Sequence, residues 1–322
     1  MSKVLITGGS GTVGSGLFDG YKDKMDITII DRSESIFFNN HNLIKFDLAS
    51  PFYGFEYDFI GKHDVVVHLA ANARVHQSFL NPDLALENYI STHRALELAK
   101  NIGAKRFIFT SSREVYGDRY SGRPLFEFEA EVGYQKSPYA ASKLGSESLV
   151  SAFCETNDME YIILRLSNVY GNYDYSERAV PYFCYLAQRD LPIKVFGGDE
   201  KILDFTHQDD CSFGIFRAIN TECGLNSTYN LSSGCGTKLS YIAKEIVGLM
   251  KSNSDIILAD NRIGEVHGYA ADISKAGRYL DYTPSTRIEL GINSAVNNFN
   301  LHQTHTTDEY QKKMLNDAGY QL

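Results

Sequence analysis

Thr7-Gly8-Gly9-Ser10-Gly11-Thr12-Val13-Gly14 decides how this sequence folds. It follows a short β-branched run, Lys3 to Thr7, and leads into a helical pattern, so the glycines lie at a strand-to-helix turn. Glycines there permit a tight turn, let backbone N–H groups approach a diphosphate and let helix pack closely on strand. The helix N-terminus then favours the anion. A glycine-rich turn is a weak signal alone; Asp31 strengthens it. That carboxylate ends the second strand 31 − 14 = 17 residues after Gly14, where it can accept hydrogen bonds from adenosine ribose hydroxyls. Gly8, Gly11, Thr12, Val13 and Gly14 are therefore expected to hold a dinucleotide, with Asp31 on its ribose. Asp31 would repel a ribose phosphate, which favours NAD over NADP, although Arg32 beside it could bind one.

Outward from this turn, β-branched runs alternate with longer helical patterns up to about Leu166. Strands are expected at Lys3 to Thr7, Ile27 to Ile30, Leu43 to Phe46, Val65 to Leu69, Arg106 to Thr110 and Tyr161 to Leu166. The near-continuous apolar character of runs such as Val65-Val66-Val67 suits strands covered on both faces. Pro82 to Asn101 reads as a long helix closed at Gly103, and another begins near Tyr139 and runs to about Thr156. After Asn168 the alternation breaks into loops and shorter elements, with a strand candidate at Thr228 to Leu231 and a helix from about Ser240 to Lys251. The expected fold is α/β: a doubly wound parallel sheet of Rossmann type over residues 1–167, then a smaller mixed α/β substrate-binding domain over 168–322. Segments near 204–233 are expected to return to the first domain. The polar tail from His302 to Leu322 is expected to form a loosely held terminal helix.

The 322 residues carry 31 Lys plus Arg against 40 Asp plus Glu, a net charge of −9, and no long basic run. Nucleic acid and anionic membrane surfaces draw their affinity from clustered positive charge, so neither is an expected partner. Five cysteines, Cys154, Cys184, Cys211, Cys223 and Cys235, lack the close spacing of a structural zinc site; no metal is expected, and they read as reduced thiols. With no basic leader and no long apolar stretch, the expected location is the cytoplasm.

Tyr139 and Lys143 lie four apart near a helix start and project from one face, while Ser112 lies just past the fifth strand. The carboxyl ends of such strands are where doubly wound folds place ligands. A hydroxyl, a phenol and an ammonium beside a nicotinamide can oxidise an alcohol. Ser112 would orient the substrate hydroxyl and Tyr139 would take its proton, with Lys143 and the positive nicotinamide ring expected to lower the phenol's pKa. His68 and His207 read as packed, hydrogen-bonded residues and are not assigned to catalysis.

Several further stretches carry a family likeness: Asp47-Leu48, His68-Leu69-Ala70-Ala71, Asn88 in the long helix, Ser111-Ser112-Arg113-Glu114-Val115-Tyr116-Gly117, Ser137-Pro138-Tyr139-Ala140-Ala141-Ser142-Lys143, and Arg165-Leu166-Ser167-Asn168-Val169-Tyr170-Gly171. Together with the glycine motif they resemble the extended short-chain dehydrogenase/reductases, the NAD-dependent nucleotide-sugar epimerases and dehydratases, over nearly the whole chain. The resemblance implies that Asp47 and Leu48 border the adenine, and that Leu69, Ala70, Ala71 and Asn88 belong to the cofactor cleft. It also implies that Asn168 and Arg262 hold the diphosphate of a nucleotide-diphosphate sugar, and that Glu114 joins the catalytic group. Leu203 stands where the family usually has an Arg, and Lys201 is a possible replacement. Family dehydratases usually have an acid where this chain has Arg113, which cannot give up a proton at ordinary pH, and that weakens simple 4,6-dehydration. A 4-epimerase is the first choice, with a 4,6-dehydratase, a decarboxylase and a 4-dehydrogenase of the same family as the alternatives. A non-catalytic NAD-sensing scaffold is the alternative from another class. Arg113 would either meet a polar group of the sugar or pair locally with Glu114 or Asp118. The family's habit of pairing through its two long helices implies a homodimer, with Leu84, Leu96, Leu98, Leu144, Leu149 and Phe153 as apolar surface.

Overall fold

The computed structural model describes residues 1–38, 42–50, 57 and 60–301. The expected helix of the tail from His302 lies outside the described residues.

Strands β1 (Lys3–Thr7), β2 (Asp26–Asp31), β3 (Leu43–Lys45), β4 (Val65–His68), β5 (Arg106–Ser112) and β6 (Glu160–Leu166) are joined by β10 (Ser227–Leu231) in one seven-stranded sheet. Its order is β3-β2-β1-β4-β5-β6-β10, with every pair parallel. The chain runs outward from β1 in one direction, then returns to β4 on the other side of it, so the order reverses between β1 and β4. Such a reversal opens a crevice at the strands' carboxyl ends.

Helices cover both faces. On one side, α1 (Thr12–Tyr21) packs with α6 (Gln208–Asn220) over Val4, Ile6, Val67, Ile108 and Leu164. On the other, α3 (Asp83–Asn101) and α4 (Pro138–Thr156) lie side by side over Leu5, Val66, Phe107 and Ile163, after the short α2 (Val75–Leu80). Alternate residues of each strand thus enter opposite cores, which explains the unbroken apolar runs. Ser137 starts α4 by accepting the N–H of Ala140 at 3.1 Å, with Pro138 at the first helical position.

Two of the leucines expected on a helical pairing surface do not lie there. Leu96 and Leu98 are fully buried against the chain's own sheet. Leu84, Leu144, Leu149 and Phe153 are half-buried, and the exposed apolar side chains of α3 are Leu86 and Tyr89. Leucines occur on more than one face of α3, so sequence alone does not say which face turns inward.

The second half contains β7 (Asn168–Tyr170), β8 (Ile193–Phe196), β9 (Ile202–His207), β11 (Gly236–Lys238) and β12 (Ile256–Ala259). They form a three-stranded sheet, β11-β9-β7, and a two-stranded sheet, β12-β8. Around them lie α5 (Ala179–Ala187), α7 (Leu239–Met250), α8 (Ser274–Leu280) and α9 (Ile288–Leu301). All five thiols are free, three buried and two exposed. Among the described residues no helix is long and apolar enough to cross a membrane, and no cluster of His, Cys, Asp or Glu could hold a metal ion.

His68 is fully buried at the end of β4 between Thr7 Oγ1, 2.7 Å from its Nδ1, and Thr92 Oγ1, 3.3 Å from its Nε2. Thr92 donates its own hydrogen to the Asn88 carbonyl, so it accepts from Nε2–H, which leaves Nδ1 of a neutral ring to accept from the Thr7 hydroxyl. Burial, seconded by the charge of Lys143, lowers its pKa to about 3. Because the folded value lies below the unfolded one, stability is complete above pH 6.5 and is lost as the pH falls. We predict that this single group removes about 2 kcal/mol between pH 7 and pH 5. Denaturant unfolding of His68→Gln should show a correspondingly smaller acid dependence; an unchanged dependence would refute the assignment.

Candidate active site

A cleft of about 400 Å³ opens at the reversal between β1 and β4. Gly8, Gly11, Thr12, Val13, Gly14, Asp31, Arg32, Asp47, Leu48, Leu69, Ala70, Ala71 and Asn88 all line it. Gly8 has φ +73°, and a Cβ there would stand 2.5 Å from the Ala70 backbone N, so the two strand ends meet over a position that no side chain can occupy. The first turn of α1 contains no acid, and its N-cap Gly11 supplies no capping side chain. Its orphan N–H groups are thus left for an anion.

Asp31 accepts the N–H of Ser10 at 3.0 Å and that of Ser33 at 2.9 Å, which fixes its carboxylate at the cleft wall. Arg32 donates to Asn72 Oδ1 at 3.2 Å. Asn88 grips Asn72 from both sides, accepting its N–H at 2.7 Å and donating to its carbonyl at 3.2 Å. Asn88 therefore shapes the cleft by pinning the turn after β4. Glycines where a dinucleotide backbone must pass, a free helix N-terminus and an acid on the second strand fit NAD.

A second cavity of about 470 Å³ adjoins the first, with Val13, Leu69, Ala71, Arg74 and Arg178 common to both. Ser112, Arg113, Glu114, Tyr139, Lys143, Asn168, Lys201 and Arg262 line it. Ser112 comes from the end of β5, where its Oγ caps the short 3-10 turn Arg113–Tyr116 by accepting the Glu114 N–H at 3.2 Å. Tyr139 and Lys143 come from the first turns of α4, both buried. Lys143 Nζ donates to the Thr110 carbonyl at 2.9 Å.

The protein's own groups do not by themselves supply the expected lowering of the Tyr139 pKa. Burial raises the phenol to about 12, and the hydrogen bond with Ser112 only partly opposes it. Lys143 is itself lowered to about 8 by burial, with Glu147 pulling the other way. Excluding water from the pocket penalises both charged forms, and that outweighs the attraction the two groups could offer each other.

Arg113 adopts the local alternative. Its Nη2 pairs with Glu114 Oε1 at 2.8 Å and its Nε donates to Asn168 Oδ1 at 3.2 Å. Nη1 and Glu114 Oε2 remain buried without a hydrogen-bond partner. Burial raises the Glu114 pKa, against the pull of Arg113. Asn168 spends its amide on the Asp204 carbonyl at 2.8 Å. Lys201 does not offer the free charge that a replacement for Arg would need, because its Nζ is held by Glu265 at 2.6 Å and Asn261 at 2.9 Å. Arg262 stacks on Phe196, 3.9 Å from the ring centroid, and keeps a third of its side chain exposed.

Sequence reasoning missed Arg178, Asp174 and Asn72 at the clefts, and Glu147 behind them. Glu147 lies one turn after Lys143, paired with Arg165 at 2.6 Å and accepting from Ser111. Its spacing of four from Lys143 was the available signal.

Residues 4–232 match the NAD dependent epimerase/dehydratase family. dTDP-glucose 4,6-dehydratase 1 of Escherichia coli (strain K12) is 28% identical, over 91% of either chain. The UDP-glucose 4-epimerase of Thermotoga maritima, solved with UDP-glucose, superimposes with a TM-score of 0.85 at 27% identity, over 94% of this chain and 99% of the other. The UDP-glucuronic acid 4-epimerase of Bacillus cereus, solved with UDP-glucuronic acid and NAD, gives 0.83 at 25% identity, over 93% and 99%. With a glycine turn built for a dinucleotide and a family match across more than half its length, the chain belongs to the NAD dependent epimerase/dehydratase family and is an NAD-dependent enzyme.

Proposed function

We propose that the chain is a nucleotide-sugar 4-epimerase. NAD bound along the glycine turn supplies a reversible hydride acceptor. Ser112 orients the sugar hydroxyl toward Tyr139, whose phenol first gives its own proton to solvent once the positive charges of Lys143 and the nicotinamide favour the phenolate, and then takes the hydroxyl proton as the carbon beneath it is oxidised. The ketone then presents its other face, and Tyr139 returns the proton as the carbon is reduced. Lys143 holds positive charge near the phenol. The half-buried guanidinium of Arg262, held over Phe196 and 3.9 Å from Glu265, suits a diphosphate.

The observation that favours epimerisation over elimination is the Arg113–Glu114 pair. Loss of water across neighbouring carbons needs one group to remove a proton and another to donate one to the departing hydroxyl. The residue between Ser112 and Glu114 is an arginine that does not release a proton at ordinary pH and that engages the carboxylate beside it. Incubation with a panel of uridine and thymidine diphosphate sugars, with NMR identification of products, tests this. A 4-inverted sugar is expected; a 4-keto-6-deoxy product would replace the reading with a dehydratase.

The unpartnered Nη1 of Arg113 points to a substrate with a polar acceptor beside the reacting hydroxyl, because a buried N–H left unpaired is costly. Arg113→Met is expected to raise the Michaelis constant roughly tenfold to a hundredfold. Unchanged kinetics in a stably folded variant would return Arg113 to a structural role.

A further inference from the structure

Polar contacts tie the segment from Gly171 to Arg178 back to the first half of the chain. Tyr173 donates its hydroxyl hydrogen to Asp19 Oδ2 at 2.7 Å. Arg178 Nη2 donates to Thr12 Oγ1 at 2.8 Å, and Thr12 donates in turn to Asp174 Oδ1 at 3.3 Å. Arg74, which precedes α2, pairs with Glu177 at 3.9 Å. The two charged ties run in opposite senses, Arg178 reaching from the second half to the first and Arg74 from the first to the second. Both arginines line both cavities, so they stand where the two meet.

Asp174 orients Arg178. Its side chain is 1% exposed, and Oδ1 also accepts from the Ser176 backbone N–H and hydroxyl, while Arg178 Nε donates to Ser176 Oγ at 2.9 Å. A guanidinium carries five N–H donors, and these contacts leave Nη1 uncommitted. The Arg178 side chain is still 36% exposed. Thr12, which it grips, is the first residue of α1, the helix whose N-terminus has neither an acid nor a capping side chain. A guanidinium fixed beside uncapped helix N–H groups is matched to a diphosphate.

We propose that Arg178 is a ligand of the cofactor's diphosphate and the closing piece of a clasp, with Thr12, Asp174 and the Arg74–Glu177 pair, that retains NAD from one turnover to the next. Release then requires Arg178 to give up Thr12 and the diphosphate together. An epimerase regenerates its oxidised cofactor within each cycle and gains from retention, whereas a net dehydrogenase must exchange it every time. The clasp rests on NAD lying along the glycine turn and not on which sugar is used, so it is read without substrate.

Holoenzyme is loaded with isotopically labelled NAD, chased with unlabelled NAD, and the loss of bound label is timed. Arg178→Met should release NAD roughly tenfold to a hundredfold faster than wild type, with Arg178→Lys between them because an ammonium keeps the charge but not the fork. Salt should speed release from wild type more than from Arg178→Met. Equal release from wild type and Arg178→Met overturns the proposal, as does faster release that Arg178→Lys does not reduce and salt does not affect. Should Arg178→Met lose the wild-type circular dichroism spectrum, the Lys variant and the salt series decide, and release unmoved by either overturns it.

Discussion

Tyr139→Phe should lower turnover at least about a hundredfold while leaving the fold in place, within the range for a positioned acid or base. The ring keeps its buried packing, and the lost atom is the hydroxyl that faces Ser112. Because burial holds the phenol near 12, removing it deletes a group that the protein keeps protonated until substrate and cofactor complete the site. Adding the nucleotide sugar should then fail to produce the absorbance of reduced nicotinamide that wild type shows in a single turnover. Near-normal turnover would remove Tyr139 from the mechanism.

Lys143→Met should move activity and stability in opposite directions. Turnover is expected to fall by roughly a hundredfold or more, since the ammonium that the proposed mechanism uses is lost. The fold should gain. Burial takes the ammonium from 10.5 to about 8, a penalty on the order of 3 kcal/mol when both states are protonated. Losing the hydrogen bond to the Thr110 carbonyl returns about 1 kcal/mol of that. A group whose folded pKa is depressed in this way penalises the native state below pH 8 and releases the penalty as the pH rises to 10.5. Urea unfolding of NAD-free protein should show wild type gaining stability across that window while Lys143→Met does not. A variant no more stable than wild type at pH 7 would contradict the cost.

What the sequence made legible was local. The glycine turn, Asp31 at the end of β2 and the apolar strand runs are each contained in a few consecutive residues, so all seven strands of the parallel sheet fall where such runs were expected, while their order is a property of the fold. Ser112, Tyr139 and Lys143 share one cavity because a strand end and a helix start are recognisable from short segments. Arg178 was invisible because its partner Thr12 lies 166 residues away. Lys201 was misjudged for the same reason, since Glu265 is 64 residues on and nothing near Lys201 announces it. The burial that raises the Tyr139 phenol was not legible either, because it is a property of the folded site and not of the spacing of four that suggested the pair.

The Glu147 network has a consequence for how such an enzyme diversifies. α4 carries Tyr139 and Lys143, and one turn further on Glu147 fastens it to Ser111 of β5 and Arg165 of β6. The helix therefore cannot slide or roll on the sheet without breaking buried ionic bonds, and such breaks cost several kcal/mol. Mutations in the second half can reshape the sugar cavity while the proton-handling groups stay in register. On the proposed function, a change in the wall that meets the sugar need not disturb Tyr139 and Lys143, so substrate choice and chemistry are separable within one fold.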